Sequence, residues 1–96
     1  MTAIRLTGRL ICSGDAEAAA VRAHLPEHVR LTRAEPGCLR FEVLPAEDPL
    51  AWTVEELFRD RAAFEAHQAR VRGSDWGRAT AGIARDYEIT EEPGGR

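Results

Sequence analysis

His67 is the residue whose type and position best suit catalysis. It lies three residues after Phe64 and four before Val71, so helical geometry places the three side chains on one apolar stripe. A neutral imidazole in an apolar pocket can accept the proton of an acidic phenol or enol near neutral pH. His67 is therefore a candidate general base, although the pattern also fits a core histidine that is hydrogen-bonded to a backbone carbonyl.

Two adjacent glutamates form a second group of candidates. Glu55 and Glu56 occupy the middle of a strand-like segment, and successive strand residues point to opposite faces of a sheet. One carboxylate should therefore be partly buried and need a partner, for which Arg40 on the adjacent strand is suitable. These groups could orient a substrate or the imidazole, or they could form an ordinary cross-strand ion pair.

Several aromatic side chains could line a cavity for a flat ligand. They are Phe41, Trp52, Trp76 and Tyr87, and aromatic residues at strand spacing are also typical of an ordinary core. The sequence contains no phosphate loop, dinucleotide-binding fingerprint or nucleophile elbow. It therefore offers no motif for a bound cofactor.

A metal site is the remaining chemical option. His24 and His28 stand four residues apart, a spacing that can place two imidazoles on one metal ion in a continuous helix. Pro26 lies between them, no motif places a third ligand, and the HExxH pattern is absent. The sequence therefore favours a kinked surface helix over a metal site.

Composition is that of a single-domain globular protein. The 96 residues are too few for two independent cores, and 44% hydrophobic with 30% charged residues is ordinary for a folded domain. The net charge of -3 argues against a nucleic-acid partner, and the absence of lysine excludes Schiff-base catalysis. No apolar run is long enough to cross a membrane, and Cys12 and Cys38 suit packed, reduced thiols. We therefore expect a cytoplasmic protein.

The predicted elements follow the order β-α-β-β-α-β. Apolar patterns predict strands at residues 4–12, 38–45, 50–58 and 83–90. Helical spacing predicts a first helix that ends near residue 33, a second helix between Asp60 as its cap and Gly73, and a short turn over residues 76–80. Pro26 predicts that the first helix consists of two pieces that meet at a kink near Leu25. The single domain has its core at about residues 4–90, and residues 91–96 form a polar tail.

This order indicates an α+β fold of the ferredoxin-like type, with a four-stranded antiparallel sheet and the helices on one face. Leu44 and Leu57 point away from the main apolar rows of their strands, so both faces of the sheet appear apolar in the sequence. A large exposed apolar patch is unusual in a soluble monomer. A second copy related by a twofold axis would cover it, and we therefore predict a homodimer that stacks sheet on sheet.

Two segments resemble the antibiotic biosynthesis monooxygenase (ABM) family, which includes cofactor-independent quinol monooxygenases. Residues 35–44 (EPGCLRFEVL) are similar to the family's glycine turn into its second strand. Residues 55–67 (EELFRDRAAFEAH) are similar to its pattern of a strand glutamate, an aromatic residue, an acidic helix cap and a histidine. When the order of strands and helices is taken together with these two segments, the resemblance covers essentially residues 4–89.

The resemblance implies a dimeric α+β barrel that uses dioxygen to oxygenate a polycyclic or quinol-like aromatic compound without metal or flavin. By position, His67 matches the family's pocket histidine and Glu55 its strand glutamate, whereas Leu57 stands where many members have tryptophan or tyrosine. The haem-degrading branch uses an asparagine, and this chain contains none. Haem breakdown is therefore not expected.

The leading hypothesis is an ABM-type monooxygenase in which His67 is the base. The candidate substrate-binding residues are Glu55, Arg40, Leu57, Phe41 and Trp76. The alternative is a dimeric module of the same fold that binds or isomerises a small apolar ligand without oxygenation, which the aliphatic Leu57 favours; a protein-interaction domain is a third option. A shift of one residue in strand register would exchange the residues on the two faces, so the sequence leaves the face of each hairpin residue open.

Overall fold

The computed structural model describes residues 2–93, and this part of the chain contains four strands and three helices. In chain order they are β1 (Thr2–Ile11), α1 (Asp15–Arg33), β2 (Cys38–Pro45), β3 (Ala51–Phe58), α2 (Arg61–Arg72), α3 (Asp75–Ala79) and β4 (Ala84–Pro93). The strands form one antiparallel sheet in the order β2-β3-β1-β4. The ferredoxin-like α+β fold is confirmed, and α3 corresponds to the short turn that was expected after the second helix.

The register of the strands decides which residues face the helices. Leu6 of β1 pairs with Glu56 of β3, and Glu56 pairs with Phe41 of β2, so these three side chains share one face of the sheet. We call it the covered face, because the helices pack on it. Thr7 and Glu55, which are the neighbours of Leu6 and Glu56, form another pair and lie on the opposite side, the open face.

Packing of the helices on the covered face forms the core. Ile4 and Phe58 of the sheet and Val21 of α1 are almost fully buried. The ring of Phe58 meets that of Phe64 on α2 edge to face, with centroids 5.9 Å apart, which is a favoured aromatic geometry. These contacts fix α2 against the sheet.

α1 is an unbroken helix that continues through Pro26. The prediction of two pieces that meet near residue 25 is therefore wrong. Proline removes the hydrogen bond to the carbonyl four residues earlier, which belongs to Arg22. Both Pro26 and Arg22 are exposed, so water can bind that carbonyl, while the buried Val21 anchors the opposite side of the helix to the core.

The start of α2 lies against the turn that precedes β2. Asp60 caps α2 as predicted, because its carboxylate accepts a hydrogen bond from the amide of Ala63 at 2.8 Å. A Cβ atom built on Gly37 would be 2.3 Å from the Cβ of Ala63, so only glycine allows this approach. The contact brings Glu35, two residues before the glycine, next to α2.

β4 continues beyond the predicted end at residue 90 and reaches Pro93. It pairs with β1 along its whole length, from Ala84 opposite Ile11 to Pro93 opposite Thr2. Most side chains of this edge strand are exposed to solvent. Polar residues are therefore tolerated in it, and the strand continues through them. The predicted polar tail therefore begins later than residue 91, and residues 94–96 lie outside the described part of the chain.

The open face is charged rather than apolar. Arg5 and Arg40 bind the two oxygens of Glu55 at 2.7 and 2.9 Å, and Arg5 also binds Glu92. Ile11, Leu44 and Leu57 are apolar exceptions on this face, and Leu44 is 53% exposed. The prediction that both faces of the sheet are apolar is therefore wrong.

Candidate functional site

A cavity of about 160 Å³ lies between the covered face and the helices. All seven strands and helices described above contribute to its wall. The lining residues are Leu6, His28, Phe41, Val43, Val54, Glu56, His67, Gln68, Val71, Trp76, Arg85 and Tyr87. A mostly apolar and aromatic wall with a few ionisable groups is typical of sites for small organic molecules.

His67 supplies a neutral imidazole to this cavity. Its side chain is only 3% exposed, and Nδ1 lies 3.0 Å from Oε1 of Glu35. We assign the ring proton to Nδ1, because a carboxylate can only accept a hydrogen bond there. Burial lowers the pKa of the His67 imidazole below its ordinary value, although the nearby Glu35 carboxylate opposes this shift. Nε2 therefore keeps a free lone pair and can accept a proton.

The Glu35 carboxylate is itself held in place. Its second oxygen accepts a hydrogen bond from Nε of Arg70, and Nη2 of Arg70 donates to Oγ1 of Thr32 at 2.9 Å. Glu35 thus fixes the orientation of His67 and can stabilise the imidazolium that forms when Nε2 takes up a proton. Sequence reasoning missed this residue, because it approaches His67 only through the tight contact at Gly37.

Glu56 is the second ionisable group in the cavity wall. It is 7% exposed, and its Oε1 atom has no hydrogen-bond partner among residues 2–93. Burial, assisted by the negative charge of Glu35, raises the pKa of Glu56 to about 7, and Arg85 opposes the rise. A large fraction of Glu56 is therefore a neutral carboxylic acid near neutral pH.

An aromatic wall faces these two groups. The rings of His28 and Trp76 stack in parallel, with centroids 4.5 Å apart, and Phe41 meets the edge of His28 at 5.2 Å. Burial lowers the pKa of His28 to about 3, so this histidine is also neutral. Phe41 and Trp76, both named from the sequence, lie in the cavity wall together with His67.

The structure does not bring Glu55, Arg40 and Leu57 to the cavity. Glu55 forms a cross-strand ion pair with Arg40 at 2.9 Å on the open face, which is the ordinary role that the sequence left open. Leu57 has the same parity in β3 as Glu55 and lies on that face as well. The alternation of β3 turns Glu56 rather than Glu55 toward His67.

The two histidines considered as metal ligands both line a second cavity, which lies between α1 and α3. The ring of His28 stacks on Trp76 there. Residues 2–93 contain no group of three histidine, cysteine or acidic side chains arranged to hold a metal ion. Within the same range, no helix has both the length and the apolar character needed to span a membrane.

Comparison with protein families gives one match. The family model described as antibiotic biosynthesis monooxygenase matches residues 13–76, which is well over half of the chain and includes His67, Glu56 and Glu35. No match to a curated protein was found.

Solved structures share the fold. SnoaB, a cofactor-independent oxygenase from Streptomyces nogalater, is 14% identical with a TM-score of 0.76, over 94% of this chain and 92% of SnoaB. A putative antibiotic biosynthesis monooxygenase from Nitrosomonas europaea is 18% identical with a TM-score of 0.74, over 97% and 89% of the two chains. NE2512, a protein of unknown function from the same organism, is 23% identical with a TM-score of 0.71, over 100% and 94%.

Proposed function

Because the chain belongs to the antibiotic biosynthesis monooxygenase family, we propose that it oxygenates an electron-rich phenol, quinol or enol without a metal or organic cofactor, with His67 as the base. The observation that supports this proposal most directly is the free Nε2 of the buried His67 imidazole in a cavity whose wall combines apolar and aromatic side chains with ionisable ones. The description of SnoaB as a cofactor-independent oxygenase agrees with it.

The chemistry needs little from the protein beyond a base and a dry site. A deprotonated hydroquinone or anthrone is electron-rich enough to pass an electron to dioxygen, whereas the neutral compound is not. In the overall reaction a phenol and one dioxygen give a quinone and one water: one oxygen atom forms a new carbonyl, the other leaves as water, and the phenol supplies all four electrons. No external reductant is therefore required.

His67 would start this reaction by taking the phenolic proton at Nε2. The resulting imidazolium is stabilised at Nδ1 by the Glu35 carboxylate, 3.0 Å away. The cavity wall positions the ring for the reaction with dioxygen and excludes water, which limits side reactions of the intermediates.

Oxygen uptake with a panel of quinols, phenols and anthrones tests the proposal. His67→Gln should lower kcat by about 10²–10⁴-fold, the usual range for loss of a general base. Glu65→Gln, an exposed residue on the same helix, is the matched control and should behave like the wild type. An active preparation whose oxygen uptake is unchanged by His67→Gln would contradict the role of His67.

A second candidate is isomerisation or binding of a small apolar ligand without oxygenation. The observation that favours it is the distance of 3.8 Å between Nε2 of His67 and Oε1 of Glu56, because a base and a neutral acid so close together can move a proton between two positions of an enol. Turnover under strictly anaerobic conditions would support this candidate, and stoichiometric oxygen consumption would exclude it.

We further propose that the protein acts as a cytoplasmic homodimer joined through the open face. Solvent-exposed Leu44 lies on the same face as the charges of both signs on Arg5, Arg40 and Glu55, and such a mixture can complement its own copy across a twofold axis. Sedimentation equilibrium at micromolar concentration should show a dimer, and Leu44→Glu should shift it toward the monomer. A stable wild-type monomer would contradict this assembly.

A further inference from the structure

We propose that Glu56, as a neutral carboxylic acid, and His67 together hold one hydroxyl oxygen of a substrate that has a single aromatic ring. The role of His67 rests on the proposed function, whereas the role of Glu56 and the ring size come from the geometry of the cavity.

The spacing of the two groups suits one shared oxygen atom. Nε2 of His67 and Oε1 of Glu56 are 3.8 Å apart, which is too long for a direct hydrogen bond. An oxygen atom placed about 2.8 Å from each would bridge them with ordinary hydrogen-bond lengths. Oε1 of Glu56 is buried and has no partner among the described residues, and a buried polar atom of this kind normally has one.

The two groups would play complementary roles toward that oxygen. The substrate hydroxyl donates its proton to Nε2, while the carboxyl O–H of Glu56 donates to the same oxygen. When the proton moves, one O–H bond of the substrate breaks, one N–H bond forms on His67, and Glu56 keeps its proton. The new phenolate is then stabilised by a donor already in place, as a protonated carboxyl stabilises an oxyanion in other enzymes.

The surroundings keep Glu56 available in its neutral form. The groups that face it are His67 from α2 with Glu35 behind it, His28 from α1, and Arg85 and Tyr87 from β4. His28, whose pKa is about 3, and Tyr87, whose pKa burial raises to about 12, are neutral near pH 7. Neither His28 nor Tyr87 therefore changes its charge close to pH 7, where Glu56 does.

The volume of the cavity limits the substrate to one ring. An engineered cavity of about 150 Å³ in another protein holds one benzene molecule, and the cavity here is about 160 Å³. The stacked rings of His28 and Trp76 and the buried Val54 bound this space. A naphthol or anthrone would need these side chains to move.

Binding of unreactive probes under anaerobic conditions tests both parts of the inference. Dissociation constants for phenol, toluene and 2-naphthol are measured by calorimetry with the wild type, Glu56→Gln, Glu56→Leu and the control Glu88→Gln, which removes an exposed carboxylate. Glu56→Leu should reduce the preference for phenol over toluene by at least about tenfold, a loss typical of a buried hydrogen bond. Glu56→Gln should keep most of the preference for phenol over toluene, because an amide can still donate a hydrogen bond.

The pH dependence gives a second readout that a purely structural role would not produce. Phenol affinity of the wild type should fall as the pH rises through about 7, because ionised Glu56 no longer donates and repels a phenolate. Glu56→Gln should show no such fall. An unchanged phenol preference in Glu56→Leu, or a wild-type affinity that does not vary between pH 6 and about 8, would overturn the role of Glu56.

Ring size is tested with the same probes. The wild type should bind phenol at least about tenfold more tightly than 2-naphthol, and Val54→Ala should narrow this ratio by enlarging the cavity. Equal or tighter binding of 2-naphthol by the wild type would overturn the limit of one ring. None of these measurements involves oxygen uptake, so a failure of the proposed oxygenation and a failure of this inference give different results.

Discussion

Glu55 and Glu56 are neighbours in β3, but the two faces of the sheet give them opposite environments. On the open face, Glu55 accepts hydrogen bonds from Arg5 and Arg40 and remains in contact with solvent. On the covered face, Glu56 is buried, its Oε1 atom is unpartnered among the described residues, and its pKa is raised to about 7. The same side chain is a structural ion-pair partner on one face and a titratable acid on the other.

The comparison shows where reactivity arises in a small domain. Charges that find opposite charges in solvent are satisfied and have ordinary chemistry. A carboxyl that is buried beside an imidazole, with too little hydrogen bonding to compensate for lost water, changes its protonation near neutral pH. The covered face therefore carries the candidate chemistry, although the open face has more charged residues.

The largest expected difference between the faces is in packing. Phe58→Ala should lower the free energy of unfolding by about 3–5 kcal/mol, because it removes a fully buried ring from the core. Leu57→Ala, at the adjacent position on the open face, should cost no more than about 1 kcal/mol when both variants are compared in the Leu44→Glu background, in which no second copy covers this face. Urea denaturation of both variants measures the contrast, and similar losses would show that the open face is packed as tightly as the covered one.

The next largest effect should be a pH dependence of stability that comes from Glu56 on the covered face. The pKa of Glu56 is raised from 4.5 to about 7 by folding, so its contribution is fully present below pH 4.5 and is lost as the pH rises through 7. Relative to Glu56→Gln, the wild type should thus become less stable by about 3 kcal/mol between these pH values. Urea denaturation across this range should show the change in that pair, and a constant difference between the two proteins would contradict the raised pKa of Glu56.

A smaller effect is expected for Glu35, which acts through His67. Glu35→Gln should lower kcat about tenfold with little change in KM, because the amide stabilises the imidazolium less well. Glu35 also raises the pKa of His67, so the acidic limb of the pH–rate profile should move to lower pH in the variant. A variant with reduced kcat and an unshifted limb would assign Glu35 a purely structural role.

The smallest effect should come from the charges of the open face. Arg40→Ala removes the ion pairs of Arg40 with Glu55 and Glu42. The side chains of these three residues are between 36% and 50% exposed. In the monomeric Leu44→Glu background, the loss of unfolding free energy should stay below about 1 kcal/mol and shrink further in concentrated salt. A larger, salt-independent loss in that background would contradict the exposed placement of these charges, whereas a larger loss in the wild type alone would support their burial between two copies.

Much of the fold was predictable because periodicity reports it directly. The spacing of Phe64, His67 and Val71 marked the inner side of α2, and Asp60 and Gly73 marked its ends as the structure has them. The path of α1 through Pro26 was not predictable from local preference, because tertiary packing of the helix compensates for the lost hydrogen bond.

The site was predictable only in part. The face occupied by Glu56 could have been inferred from parity, because Trp52, Val54 and Phe58 alternate in step with it and are all buried. The contact between Glu35 and His67 joins residues 32 positions apart and depends on the space left by Gly37, which no local pattern reveals. The cavity volume depends on the final placement of every wall residue and has no signal in the sequence.

The cavity wall, to which every strand and helix contributes, couples ligand occupancy to the integrity of the whole domain. Because no subset of elements forms the whole wall, unfolding of the domain removes the site, and a bound ligand therefore stabilises the folded state as a whole. At a concentration 100 times its Kd, it would add about 2.7 kcal/mol to global stability. Amide hydrogen exchange should then slow throughout the sheet and helices together, rather than only around the bound molecule.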